Sequence, residues 1–384
     1  MKIKRILFTV IFLLCMFFQY TSYGVVDKNS GNVDMSSLEN FSQKLQSQGD
    51  YIPKIDIKTL ISKYKSTGSI GITLKDFTSN LIKYIFKEIL GNSNLLIELI
   101  FISILCAILQ NLQTAFASEG VANIAYYACF LIMTLIIIKS FVLAVQVGKE
   151  TIDSMVELTN CMMPPLIGLL AVSGGLASAA TLDPIIVIAI KVTSDIIRDI
   201  IMPMAILVLA LNVVDNLNDN VKITKLADLI KSLNLWALGF IMTVFIGAIT
   251  VRSSTSATID QVALKTTKFA VDTFIPVVGK CLSDAVSTVA GYSLLLKDAI
   301  SVVGLIVMIF ICIFPLIKIA IIALIYKFVG AVMEPIVDKK IVNCLSAAGN
   351  SLTIVFACVL SVAVMFFIMI TIIASTGRLV MMVR

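Results

Sequence analysis

The side chains best placed to do chemistry are four charged residues inside one apolar run: Lys191, Asp195, Arg198 and Asp199. The run covers about residues 184–214, long for a single membrane crossing. On a helix, Asp195 lies four residues after Lys191, three before Arg198 and four before Asp199, which is the spacing of a local ion-pair network. An ionisable group at bilayer depth costs roughly 2.5–3.5 kcal/mol on the insertion scale, so it faces protein or water rather than lipid. The two bases and two acids sum to zero. Three readings follow: a network neutralising itself within a bundle, a polar pathway or docking patch, or a stretch outside the membrane.

The remaining reactive residues narrow the chemistry. The chain has no histidine, which excludes Ser-His-Asp hydrolysis, His-ligated metals and imidazole proton relays. The eight cysteines (Cys15, Cys106, Cys129, Cys161, Cys281, Cys312, Cys344 and Cys358) form no CxxC pair and mostly stand in apolar runs, where cysteine acts as a small hydrophobe. Neither disulfides nor metal ligation is expected from them. No GxxxxGK[ST], HExxH or GxSxG occurs. The scattered carboxylates make no acid–base pair. No enzymatic activity and no cofactor are expected.

The elements that must carry the four charges are membrane helices. Of the 384 residues, 59% are hydrophobic and 14% charged, against about 45–50% and about 25% in soluble globular chains. A soluble fold could not hide so much apolar surface. The 30 Lys and Arg against 24 Asp and Glu leave a net charge of +6. The basic residues are scattered, without a nucleic-acid footprint, and suit weak attraction to anionic lipid.

Residues 1–24 read as a cleavable signal peptide. Lys2, Lys4 and Arg5 are basic, Ile6 to Phe18 is a short apolar core, and Ser22-Tyr23-Gly24 supplies small residues at a cleavage site. Residues 25–94 form an extracytoplasmic segment rich in Ser, Asn, Lys and Gln. Within it Leu74, Phe77, Leu81, Ile85 and Ile89 recur at helical spacing, and Gly91-Asn92 stops that amphipathic helix.

Residues 95–251 are the first part of a membrane bundle and residues 299–384 the last. Apolar runs cover about 95–112, 121–147, 161–180, 184–214, 233–251 and 351–374, with 299–333 crossing once or twice. Glu98, Lys139 and Lys318 snorkel from near the ends of their spans. The count is six to eight. Seven spans would put Arg378 and Arg384 in the cytoplasm, in line with the positive-inside tendency. Gly174, Gly175, Pro203 and Pro315 mark close packing or bends. Residues 252–298 read as an amphipathic helical hairpin. Ile259, Val262, Ala263, Thr266, Phe269 and Ala270 share one helical face, while Asp260, Gln261, Lys265, Lys268 and Asp272 fall on the other. Pro276 and Gly279 supply the bend. The hairpin either lies on the surface as a connector or lines a wet cavity. The expected fold is thus all-α, with about seven transmembrane helices.

Specific sequence details resemble the stage III sporulation protein AE family of endospore-forming Firmicutes. They include Leu95-Leu96 with Cys106-Ala107-Ile108-Leu109-Gln110-Asn111-Leu112-Gln113, then Ser173-Gly174-Gly175 with Ser178-Ala179-Ala180. Ile201-Met202-Pro203, Lys225-Leu226-Ala227 and Phe314-Pro315-Leu316-Ile317-Lys318 also fit. The densest stretch runs from Val251 to Gly304. It holds Ser256-Ala257, Lys265-Thr266-Thr267-Lys268-Phe269, Phe274-Ile275-Pro276-Val277-Val278-Gly279 and Leu294-Leu295-Leu296-Lys297. Thr376-Gly377-Arg378-Leu379 and Met381-Met382 close the match. Asp195, Arg198 and Asp199 are not part of it.

The resemblance implies a membrane component of the stage III A assembly in the mother-cell membrane around the forespore. Its partners would be the other stage III A proteins, including a secretion-type ATPase and ring-forming subunits. It would meet forespore protein Q indirectly, across the intermembrane space. The assembly would act as a secretion-like channel or feeding tube. Three roles are compatible with this: a conduit lined by Lys191, Asp195, Arg198, Asp199, Lys265 and Lys268; a dry scaffold anchoring the ring subunits; and an independent secondary transporter.

Overall fold

A computed structural model describes Thr59 and residues 74–115, 119–173, 179, 183–217, 222–274 and 279–376. The expected signal peptide, most of the 25–94 segment, Gly174, Gly175 and Pro276 lie outside the described residues. The described chain is helical throughout and contains no strand. Its helices are α1 (Leu74–Gly91), α2 (Ser93–Ala115), α3 (Glu119–Val172), α4 (Asp183–Ile196), a π-helical segment (Ile197–Ile201), α5 (Met202–Leu217), α6 (Thr224–Phe274), α7 (Gly279–Met333) and α8 (Lys339–Ser375).

Gly91-Asn92 ends α1 as its residue types predict. The Asn92 amide donates to the Glu88 carbonyl at 2.8 Å and to its carboxylate at 3.0 Å. α1 then sits against the bundle through Tyr84, edge-on to Phe314 of α7 at 4.7 Å. At the other end, Asp338 starts α8 by accepting the Lys340 amide at 3.2 Å, an N-cap that satisfies one of the free first-turn donors.

Six stretches are long and apolar enough to cross a membrane: Thr78–Leu112, Ile124–Val172, Ile186–Leu217, Thr224–Thr250, Thr288–Met333 and Lys339–Ser375. Two sequence boundaries shift. The run at 121–147 and most of that at 161–180 share one helix, because α3 continues through Pro164 and Pro165 to Val172. These prolines have no N–H for the carbonyls four residues earlier, yet the helix continues beyond them. Likewise 299–333 is a single helix through Pro315. Within 252–298, α6 runs to Phe274 and α7 starts at Gly279, on either side of the expected bend, and residues 275–278 lie outside the described residues. α3, at 54 residues, is about 81 Å long, far more than a hydrocarbon core of roughly 30 Å. α6 and α7 are of similar length.

Neighbouring long helices run antiparallel. Ser140 of α3 meets Tyr326 of α7, and Met162, further along α3, meets Gly304, earlier in α7. Lys327 of α7 lies against Gly349 of α8, and Lys297 against Thr376. The apolar windows of α7 and α8 are 56% and 50% buried, against 22% for α6 and for α1–α2. α7 and α8 therefore form the centre, with α6 and α2 at the rim. In lipid the hydrophobic effect does not hold helices together, and close backbone approach must do so. A Cβ on Gly304 would stand 1.8 Å from Met162 Cε, and one on Gly349 would stand 2.8 Å from Lys327 Cγ.

Candidate functional site

Arg198 is positioned by the break between α4 and α5. Pro203 has no N–H to complete the α-helical ladder, and just before it the helix widens: the Met202 N–H donates to the Ile197 carbonyl, five residues back. Inside this wider turn the Asn234 amide of α6, fully buried, donates to the Ile201 carbonyl at 3.1 Å. The π-helical segment thus has a dedicated donor from a neighbouring helix.

On its outer side the segment presents Arg198 to α3. The guanidinium clasps Asp199 in a two-pronged fork, Nε to Oδ1 at 2.9 Å and one terminal nitrogen to Oδ2 at 3.0 Å. It donates to Asp153 of α3, and Asp195 stands 3.9 Å away. Lys191 is exposed and joins none of these pairs. The structure therefore brings Asp195, Arg198 and Asp199 together, leaves Lys191 apart and adds Asp153. Lys149, Glu150 and Glu157 lie within one or two turns of Asp153 on α3. Arg198 and Lys149 against five acids give this seam a formal charge of −3.

The seam is an outer surface. The side chains of Asp153, Asp195 and Asp199 are 53%, 43% and 56% exposed. Three carboxylates facing hydrocarbon would be prohibitive. This level of the bundle must meet water, headgroups or a protein partner.

A second polar region lies seventeen residues further on, about 25 Å along the helix at 1.5 Å per residue. It is a cleft of about 310 Å³ at the loop end of the bundle. α5 contributes Asn212, Asp215 and Asn216; α6 contributes Thr224, Asp228 and Lys231; α8 contributes Asn343, Ser346, Asn350 and Ser351. Asp215 closes the α5–α6 turn, accepting the Ile223 amide and the Thr224 hydroxyl, each at 2.7 Å. Asn212 and Asn216 donate to carbonyls one turn back on their own helix. Between seam and cleft, Ile200–Leu211 carries no polar side chain. There Met202 packs with Val355 and Val359 around Gly148.

Sequence reasoning missed Asp153, because its partner is 45 residues away. It also missed the cleft, whose three helices meet only through the fold. The asparagines at 212, 216, 343 and 350 were the available signal, since they interrupt or border otherwise apolar runs. Among the other singled-out residues, Lys265 and Lys268 lie on the helical backbone of α6, and Gly279 opens α7. Pro315 sits inside α7. Lys297, within the Leu294–Lys297 stretch, is fully buried and donates to the Thr376 carbonyl at the end of α8. It thereby caps a helix C-terminus with a cation. Among the described residues no three Cys, Asp or Glu side chains are grouped to hold a metal.

Long apolar helices packed antiparallel define an α-helical membrane protein. The family model for stage III sporulation protein AE matches residues 55–377. Stage III sporulation protein AE of Bacillus subtilis (strain 168) is 31% identical over 365 residues, covering 95% of this chain and 91% of that protein. The chain belongs to the stage III sporulation protein AE family. No solved structure matches it.

Proposed function

We propose that the chain is a multi-pass component of the mother-cell membrane around the forespore. There it would serve the stage III A–Q channel that sustains forespore development. The observation carrying this reading is the family match over residues 55–377. The chain would work by contact rather than chemistry, with energy from the assembly's secretion-type ATPase. Six crossings would put both ends on one side. With an exported leader, that side is the intermembrane space, and the cleft opens to the mother-cell cytoplasm.

Between conduit and scaffold, the apolar section from Ile200 to Leu211 favours the scaffold for a single copy. It separates the polar seam from the polar cleft by a packed interior. The exposed acids of the seam then serve as a docking surface for another subunit. Single cysteines at positions 195, 198, 265 and 268, in a cysteine-free background, test this in the assembled complex. The scaffold predicts that 195 and 198 react with aqueous thiol reagents in the isolated protein and are protected after assembly. Undiminished reaction at 195 and 198 in the assembled complex would remove the docking role of the seam. An independent transporter would move substrate with the purified protein alone.

A further inference from the structure

We propose that the cleft between α5, α6 and α8 binds a small zwitterionic solute, one carrying an ammonium and a carboxylate in the manner of a free α-amino acid. Its volume of about 310 Å³ admits a molecule of that size. Only Val208 and Ala347 of its lining are apolar, in a chain that is 59% hydrophobic. A lipid tail or an apolar helix has nothing to bind there.

The charges decide the ligand class. Both oxygens of Asp215 are engaged by the turn it closes, and its charge is offset by neighbouring Lys222. Asp228 and Lys231 remain. They stand three residues apart on α6 and form no ion pair with each other or with any described residue. One carboxylate and one ammonium, unpaired with each other in the same cleft, match the two ends of a zwitterion. A dianion would meet Asp228 and a dication would meet Lys231. Asn343, Ser346 and Asn350 of α8 face them, and none makes a side-chain hydrogen bond with a described residue. These neutral donors and acceptors suit the rest of an amino acid better than a bare ion. The site is independent of whether the bundle conducts.

The test is calorimetric titration of the full-length protein in phosphatidylglycerol nanodiscs with L-glutamine, succinate and putrescine. Saturable binding is expected for L-glutamine alone. Asp228→Asn and Lys231→Met should each weaken it about tenfold, the change that about 1.4 kcal/mol of lost charge pairing produces. Asn350→Leu narrows the cleft from a different helix without changing charge, and should abolish binding at an unchanged melting temperature. No binding of glutamine would overturn the assignment. So would equal binding of succinate or putrescine, or glutamine binding retained by all three variants. A phosphatidylethanolamine headgroup carries similar charges. Loss of glutamine binding on changing the nanodisc lipid to phosphatidylethanolamine would assign the cleft to that headgroup and overturn the free-solute reading.

Discussion

Arg198 carries the seam because, among the described residues, it is the only base paired with three acids. Exposed pairs of this kind contribute about 0.2–1 kcal/mol each in water, so truncation to alanine should have a small effect on stability. Reversal is different, because Arg198→Asp sets four carboxylates together. It should lower the melting temperature of the purified protein, and Asp153→Arg on that background should restore much of the loss. A double-mutant cycle with no coupling between 153 and 198 would remove the seam as a unit. Asn234 is the opposite case, fully buried and donating to the π-helical segment. Asn234→Leu keeps the bulk and removes the donor, and should destabilise by about 1 kcal/mol in thermal unfolding. The local spacing of 195, 198 and 199 was readable from residue order alone. Asp153 and Asn234 were not, because nothing in the chain tells which acid or amide a fold will bring from another helix.

At the scale of helices, two glycines make opposite predictions. Gly304 is pressed against Met162, whereas nothing lies within 4 Å of a Cβ at Gly168. Gly304→Leu should force α3 and α7 apart and cost about 1–3 kcal/mol. Gly168→Ala should be neutral or stabilising by up to about 1 kcal/mol, since alanine favours a helix interior. Unfolding curves of the two variants in detergent check both. The helices themselves were legible: apolar runs located every span, and Gly91-Asn92 ended α1. Their joins were less so. Pro164-Pro165 and Pro315 suggested breaks, but a proline inside a long, packed helix removes a hydrogen bond without ending the helix. Two runs therefore became one α3.

For the whole molecule, helix length matters as much as helix number. Helices of 51 to 55 residues exceed any bilayer. The 25 Å between Arg198 and Asp215 is close to a hydrocarbon core, so seam and cleft fit its two faces. Composition announced the membrane, and sequence resemblance supplied the family. The side each polar region occupies depends on crossing parity, which no composition encodes. The most direct test places single cysteines at Ile336, in the α7–α8 turn, and at Ser375, at the end of α8, in a cysteine-free chain. Both residues are exposed. A membrane-impermeant maleimide applied from the outer face should label the cysteine at 375 in sealed vesicles, and the one at 336 only after permeabilisation. Labelling of both from one side, or the reverse pattern, would contradict the account.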